Sequence, residues 1–187
     1  MKSDAAPATP IAFALGLAIV AAFATPAMAA LKEGSKAPDF TAPSFLAGKQ
    51  SSFHLADALK KGPVVLYFFP AAHTSGCNVE AHLFSQAIPK FKAAKATVIG
   101  VTAGNIDQLA AFSTETEHCS GKFAVAADPG AKIAKQYDAI LAQKPEWSDR
   151  TSYVIGKDGT IVHVHSNLDP HGHVEETLAA VQAMKKK

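Results

Sequence analysis

Clusters of basic residues are missing from most of this chain, and cysteine is scarce. The 187 residues contain 18 Lys and Arg against 16 Asp and Glu, for a formal net charge of +2, and the one basic run is Lys185-Lys186-Lys187. Nucleic acid is bound through basic patches, so we expect no nucleic-acid partner. The chain has two cysteines, Cys77 and Cys119, and a single arginine, Arg150. There is no internal repeat or low-complexity linker, and the length fits one domain.

The amino-terminal segment has the pattern of an export signal. Residues 11–24 form an apolar run too short to span a bilayer, and Ala27-Met28-Ala29 is a small-x-small cleavage signal. We therefore expect residues 1–29 to be a cleaved signal peptide and residues 30–187 to be the mature domain. The basic region before the apolar run is weak, so an uncleaved anchor is the alternative. With cleavage, we expect a periplasmic protein in a Gram-negative host, without stable membrane association.

Strands alternate with helices along the rest of the chain, which predicts an α/β architecture. Apolar runs between polar turns predict strands at 37–40, 51–55, 64–69, 96–101, 123–126, 151–155 and 161–165. Apolar spacing of three and four residues predicts helices following Cys77, over 105–116 with Asn105 as its cap, over 131–136, and from a cap at Asp169. The apolar positions of the first of these helices are Val79, Leu83, Phe84, Ala87, Ile88 and Phe91.

A cysteine stands where the buried strand at 64–69 turns into this helix. Cys77 is expected in the first helical turn, where unpaired backbone N–H groups and the helix dipole favour a thiolate. Lowering the pKa of a thiol also weakens it as a nucleophile, so catalysis needs a hydroxyl and a fixed cation nearby. Thr74 is close enough in the chain for the turn to carry its hydroxyl to the sulfur. Pro70 fixes the backbone and shapes a small pocket.

Pro70, Thr74 and Cys77 match the Pro-x-x-x-Thr-x-x-Cys motif of the peroxiredoxins, also called the alkyl hydroperoxide reductase and thiol-specific antioxidant family. The wider VVLYFFPAAHTSGCNVEAHLF resembles the bacterioferritin comigratory protein branch, including Glu80 after the cysteine. The resemblance runs from about Leu31 to the end and implies a thioredoxin fold.

The resemblance also implies an activity. Members of the family reduce hydrogen peroxide and small organic hydroperoxides through a cysteine sulfenic acid, and a thioredoxin-like dithiol protein reduces them again. Cys77 would then be the nucleophile, with Thr74 and Pro70 shaping its pocket and no metal, haem or flavin needed. The family places a distant arginine beside the sulfur, and Arg150 matches that position; an ion pair with Glu80 is its alternative role. A monomer and a homodimer both remain open.

The second cysteine departs from the pattern of this branch. A resolving cysteine often lies five residues after the first, but His82 occupies that position here. Cys119 instead ends the helix that starts at Asn105, where some relatives keep a second cysteine. The resemblance therefore implies a Cys77–Cys119 disulfide, whose formation would require the first turn of the Cys77 helix to unwind. A bystander thiol and a bond to a partner chain are the alternatives.

Two rival functions follow from other features. A periplasmic thiol–disulfide oxidoreductase usually needs Cys-x-x-Cys, and Thr74 occupies the partner position here. A metal-binding module could use the four histidines near the carboxyl terminus, which are His163, His165, His171 and His173. His73, inside the cysteine turn, would add positive potential only when protonated.

Overall fold

Seven strands form one mixed sheet in the computed structural model, which describes Met1 and residues 30–185. The strand order across the sheet is β2-β1-β5-β4-β3-β6-β7. The strands are β1 (Thr41–Leu46), β2 (Lys49–His54), β3 (Val64–Phe68), β4 (Thr97–Thr102), β5 (Ala124–Ala127), β6 (Thr151–Ile155) and β7 (Ile161–Ser166). The α-helices are α1 (Leu55–Lys61), α2 (Ser75–Ala93), α3 (Leu109–Thr114), α4 (Lys132–Gln136) and α5 (His173–Met184), and a 3₁₀ turn covers Ile106–Gln108.

The central strand β3 corresponds to the apolar run at 64–69. All five of its residues are buried, because it pairs with a strand on each side and is covered by helices on both faces. It is parallel to β4 and antiparallel to β6. The crossover from β3 to β4 passes through α2, in agreement with the predicted alternation of strands and helices.

Helices cover both faces of the sheet, so the protein has two apolar cores. The core on one face includes buried residues of α2, α3 and α5, such as Phe84, Phe112 and Val181. The core on the other face includes residues of α1 and α4, such as Leu59 and Ile133. The α/β architecture predicted from the sequence is confirmed. No helix among the described residues is long and apolar enough to cross a bilayer. The predicted signal peptide falls almost wholly on residues 2–29, which lie outside the described part.

Three predicted elements differ from the structure. The strand predicted at 37–40 is not a strand, and β1 covers Thr41–Leu46, because pairing with β2 starts at Thr41. The helix predicted from Asn105 is divided into the 3₁₀ turn and α3, and the Asn105 side chain does not cap it but donates to Ala72 O at 2.8 Å. The last helix begins at His173, since Asp169 bonds the backbone and the ring of His171 in the loop before it.

The buried face of α2 also differs from the predicted one. Val79 is 40% exposed, and Leu83 is only partly buried. The other four predicted positions are buried as expected, namely Phe84, Ala87, Ile88 and Phe91. The buried stripe also includes Cys77 and Glu80, so it contains a carboxyl group as well as a thiol. A pattern of apolar residues could not reveal the place of Glu80, because it treats a glutamate as a solvent-facing position.

Candidate active site

Cys77 is the third residue of α2 and lies in its first turn, as predicted. Thr74 is the residue at the N-cap, and its carbonyl accepts a hydrogen bond from the Asn78 amide at 2.9 Å. The thiol is free and only 1% of the residue is exposed. A reduced sulfur is therefore held at the start of a 19-residue helix, where the dipole favours negative charge.

The side chain of Arg150 is fixed against this sulfur. Its Nη2 atom lies 3.5 Å from Cys77 Sγ, and its Nε donates to Leu168 O at 2.9 Å. Its Nη1 donates to Glu80 Oε2 and, at 3.4 Å, to Gly76 O. A Cβ on Gly76 would lie 2.9 Å from Nη2, so a side chain at this position would displace the guanidinium. Both sequence-based roles of Arg150, beside the sulfur and paired with Glu80, occur together.

The sheet topology brings Arg150 to a cysteine 73 positions away in the chain. Strand β6 runs antiparallel to β3, with Thr151 opposite Phe68. The start of β6 therefore lies beside the end of β3, and this is where the chain turns into α2. Arg150 immediately precedes β6, so its side chain reaches the first turn of α2.

Glu80 lies one turn after Cys77 and is fully buried. Its Oε2 accepts from Arg150, whereas its Oε1 has no hydrogen-bond partner and lies 3.5 Å from His173 Nδ1. Burial raises the pKa of Glu80 to about 8, against the opposing effect of the Arg150 guanidinium. One guanidinium thus faces two acids, the Glu80 carboxyl and the Cys77 thiol.

His173 contacts Glu80 on the side away from Arg150, a role that no sequence pattern indicates. Its Nε2 is 2.9 Å from Asn167 O, and its Nδ1 is 2.8 Å from Ser152 Oγ. Burial lowers the pKa of His173 to about 4, so the ring is neutral at pH 7. A neutral ring that donates its Nε2 hydrogen to the Asn167 carbonyl accepts a hydrogen bond from the Ser152 hydroxyl at Nδ1. The sequence indicates this ring only as one of four histidines of the alternative metal-binding module.

Pro70 and Thr74 belong to the turn between β3 and α2. Pro70 O accepts a hydrogen bond from Thr102 Oγ1 at 3.0 Å, and a Cβ on Gly104 would lie only 2.4 Å from that carbonyl oxygen. The Thr74 hydroxyl donates to Ala71 O at 3.0 Å. In this conformation the hydrogen of the Thr74 hydroxyl is directed to the backbone, and the role of this residue toward a peroxide stays a prediction.

Cys119 lies after α3, and it is a free, buried thiol. Burial raises the pKa of Cys119 far above its usual value, and the nearby Glu115 adds to the rise. It belongs to the same apolar core as Cys77. Both thiols are covered, and the predicted unwinding of the first turn of α2 before they bond stays a prediction.

The four histidines near the carboxyl terminus do not converge. His163 pairs with Glu33 at 3.1 Å, and His171 pairs with Asp169 at 2.7 Å. His173 is buried against Ser152 and Glu80, as described above. The His165 ring packs edge-on against the His173 ring with centroids 4.5 Å apart, and its Nε2 has no hydrogen-bond partner among the described residues. In the described part of the chain, no three of these side chains bring ligand atoms together, so the alternative of a metal-binding module is not favoured.

Comparisons with known proteins identify the family of this chain. The model of the AhpC/TSA family matches residues 34–164. The chain is 30% identical over 158 residues to a protein named peroxiredoxin Q, chloroplastic, from Sedum lineare, covering 84% of this chain and 81% of that protein. It is 32% identical over 156 residues to the Arabidopsis thaliana protein of the same name, covering 83% and 69%.

Solved structures of peroxiredoxins share the fold of this chain. The peroxidoxin BcpB of Mycobacterium tuberculosis has a TM-score of 0.72 at 27% identity, covering 82% of this chain and 98% of that one. A reduced 2-Cys peroxiredoxin of Plasmodium vivax has a TM-score of 0.74 at 22% identity, covering 82% of each chain, and so supports the fold alone.

The chain therefore belongs to the AhpC/TSA family, and its mixed sheet with flanking helices is the thioredoxin-like fold of the peroxiredoxins. Its relatives are peroxiredoxins of the Q and bacterioferritin comigratory type, as the turn sequence predicted. It is a thiol-dependent peroxidase, an oxidoreductase with peroxide as substrate and a thioredoxin-like reductant. The two rival functions are not favoured.

Proposed function

We propose that Cys77 is the nucleophile that attacks hydrogen peroxide and small organic hydroperoxides, and that Arg150 is the fixed cation that assists it. The observation that carries this assignment is the distance of 3.5 Å between Arg150 Nη2 and Cys77 Sγ inside the first turn of α2. Both side chains are almost fully buried, so the attraction between guanidinium and thiolate is stronger there than in water.

The first step is attack by the Cys77 thiolate on the terminal peroxide oxygen. A sulfur–oxygen bond forms while the oxygen–oxygen bond breaks, and the leaving oxygen takes a proton to become water or an alcohol. Cys77 is left as a sulfenic acid. Arg150 and the N–H groups at the start of α2 stabilise the charge that develops on the oxygens. Thr74 would hold the peroxide, and Pro70 would shield the sulfur from further oxidation.

Glu80 sets how much of the Arg150 charge is available to the thiolate. The guanidinium carries one positive charge, and two ionised acids in contact with it would leave a net negative charge in a buried site. A proton on Glu80 removes that excess, and the pKa of Glu80, raised to about 8, supports a neutral carboxyl at pH 7. The thiolate then has the guanidinium as its main counter-charge.

Cys119 completes the cycle in this proposal. Its thiol displaces hydroxide from the Cys77 sulfenic acid, which leaves as water after protonation, and a disulfide forms. A thioredoxin-like dithiol then reduces this disulfide. Since both thiols are buried, this step follows local unwinding of the first turn of α2.

The cellular location, domain bounds and oligomeric state of the protein are also proposals. We propose that residues 1–29 are removed on export, that residues 30–187 form one domain, and that the mature enzyme works in the periplasm as a monomer or homodimer. The small-x-small pattern at Ala27-Met28-Ala29 supports cleavage. The name of the Sedum relative places that protein in the chloroplast, and the proposal for this chain does not rest on it.

Peroxide consumption with a dithiol reductant tests the assignment. Cys77→Ser is expected to abolish turnover, whereas Cys119→Ser keeps the first reaction with peroxide. Activity of Cys77→Ser within a few-fold of the parent would contradict the role of Cys77 as nucleophile.

A further inference from the structure

His73, Glu115 and His118 bring three potential metal ligands together beside the active turn. Glu115 Oε2 is 2.8 Å from His73 Nε2 and 2.7 Å from His118 Nδ1. The three ligand atoms lie within 4.8 Å of one another, and this is the one such convergence of three His, Cys, Asp or Glu groups in the described part of the chain. We propose that these residues bind a divalent transition metal of the zinc class.

The two rings are already oriented for this role. His73 Nδ1 lies 2.7 Å from Gln108 Oε1, so it donates its hydrogen to the amide oxygen and leaves Nε2 directed at Glu115. A hydrogen bond from the second ring nitrogen is the usual way in which proteins fix a metal-binding histidine. The His118 ring stacks on Phe112 with centroids 4.7 Å apart, and only 11% of its side chain is exposed.

The spacing of the ligands fits an ion after a small movement. Zinc ligands at about 2.0–2.1 Å in tetrahedral geometry lie about 3.4 Å apart. The carboxylate must therefore move away from each nitrogen by roughly 0.6 Å. The two ring nitrogens, which lie within 4.8 Å of each other, must take up the same spacing. Glu115 directly follows α3, and its side chain is 39% exposed, so it is free to make this adjustment. Two histidines and one glutamate are a known zinc ligand set that leaves a fourth position for water.

The position of the site gives it a consequence for the redox cycle. His73 lies in the turn that carries Cys77, and His118 directly precedes Cys119. A metal bound to both rings ties these two segments together. In the proposed cycle the first turn of α2 unwinds before the thiols can bond, so the metal slows formation of the disulfide. This consequence, unlike binding itself, rests on the proposed role of Cys119.

Zinc titration of the full chain tests the site. The parent is the Cys77→Ser, Cys119→Ser double variant, in which no thiol can bind the metal. Isothermal titration calorimetry is expected to give one Zn²⁺ per chain. Glu115→Gln and His118→Gln should each weaken binding at least tenfold, and Gln108→Ala should weaken it by about 10- to 100-fold. His171→Gln, an exposed histidine that also pairs with a carboxylate, is the matched control and should leave binding unchanged.

Two results would overturn the site: no stoichiometric zinc binding by the parent, or the same affinity in Glu115→Gln and His118→Gln as in the parent. Because Glu115 is partly exposed, its glutamine variant keeps the test valid even where His118→Gln does not fold.

The effect of zinc on disulfide formation is measured in the chain that keeps both cysteines. After one equivalent of peroxide, Zn²⁺ should slow formation of the Cys77–Cys119 disulfide at least tenfold, but not in Glu115→Gln. An equal rate of disulfide formation with and without bound zinc would contradict the proposed effect of the metal. If no such disulfide forms under any condition, the role of Cys119 is wrong, and the calorimetry alone decides the metal site.

Discussion

Cys77 and Glu80 lie one helical turn apart on α2 and contact the two terminal nitrogens of the same guanidinium. Arg150 Nη2 is 3.5 Å from the sulfur, and Nη1 donates to the carboxyl oxygen. Two acids that share one buried cation titrate as a coupled pair, because ionising one makes ionising the other less favourable. The chemistry of the thiol therefore depends on a residue that never needs to touch the peroxide.

Arg150→Met should slow the reaction of the reduced enzyme with peroxide. The loss of one charge-assisted donor corresponds to about 2–3 kcal/mol of transition-state stabilisation, or about 30- to 150-fold in rate. The second-order rate constant for hydrogen peroxide, measured by rapid mixing, checks this. The Arg150→Met, Glu80→Gln double variant controls for leaving a carboxyl buried without its cation. A rate within threefold of the parent in both variants would contradict the role of Arg150.

Glu80→Gln should change how stability depends on pH. The pKa of Glu80 is raised from 4.5 to about 8 by burial, so between these pH values the folded state binds more protons than the unfolded state. The free energy of unfolding contributed by Glu80 therefore falls as the pH rises through this window. Glutamine cannot titrate, so the variant should gain stability relative to the parent between pH 5 and pH 8.5, by a few kcal/mol at about 1.4 kcal/mol per pH unit.

Urea unfolding of both proteins at pH 5, 7 and 8.5 measures this difference. The titration of His173 occurs in both proteins and cancels in the comparison. Glu175→Gln, on the exposed side of α5, is the control and should show no such trend. A constant difference, or one of opposite sign, would mean that Glu80 stays ionised against Arg150 over the whole range.

Cys119→Ser should leave the first reaction with peroxide intact and prevent the internal disulfide. In the parent, one equivalent of hydrogen peroxide is expected to give a product lighter by two hydrogens, with the peptides of Cys77 and Cys119 linked. Peptide mapping without reductant checks this. A linked Cys77–Cys77 dimer in the parent would instead indicate resolution between two chains.

Phe84→Ala should be costly and Val79→Ala nearly neutral, although both residues are apolar positions of α2. Phe84 is fully buried with its ring stacked on Tyr67 at 4.4 Å, so its truncation is expected to cost about 3–5 kcal/mol. Val79 is 40% exposed, and its truncation should change stability by no more than about 0.5 kcal/mol. Urea midpoints compare the two, and equal costs would contradict the orientation of α2.

The order of strands and helices could be predicted from the sequence, because apolar runs and turns are local signals. Cys77 in the first turn of α2 followed from a strand, a turn and a helix in succession. Most of the buried face of α2 also followed, but the place of Glu80 on that face did not, because Glu80 is stabilised by Arg150 rather than by apolar packing. The start of the last helix was misjudged because Asp169 makes a loop contact that resembles a cap in sequence.

The candidate site was predictable in part. Arg150 was found through the family resemblance, since a pairing of β6 with β3 cannot be deduced from the residues on either strand alone. His173 was not found, because its burial depends on the packing of α5 against the sheet. The cluster of His73, Glu115 and His118 was also missed, because it joins two segments that only the tertiary fold brings together.

Trapping the oxidised sulfur tests directly whether Cys77 is the residue that peroxide oxidises. Cys119→Ser is treated with one equivalent of hydrogen peroxide in the presence of dimedone, and the labelled residue is identified by tandem mass spectrometry. A single adduct on Cys77 is expected, formed as fast as the peroxide disappears and much more slowly when Arg150→Met is added. Peroxide consumption with Cys77 unlabelled and still reduced would contradict the role of Cys77 as the nucleophile.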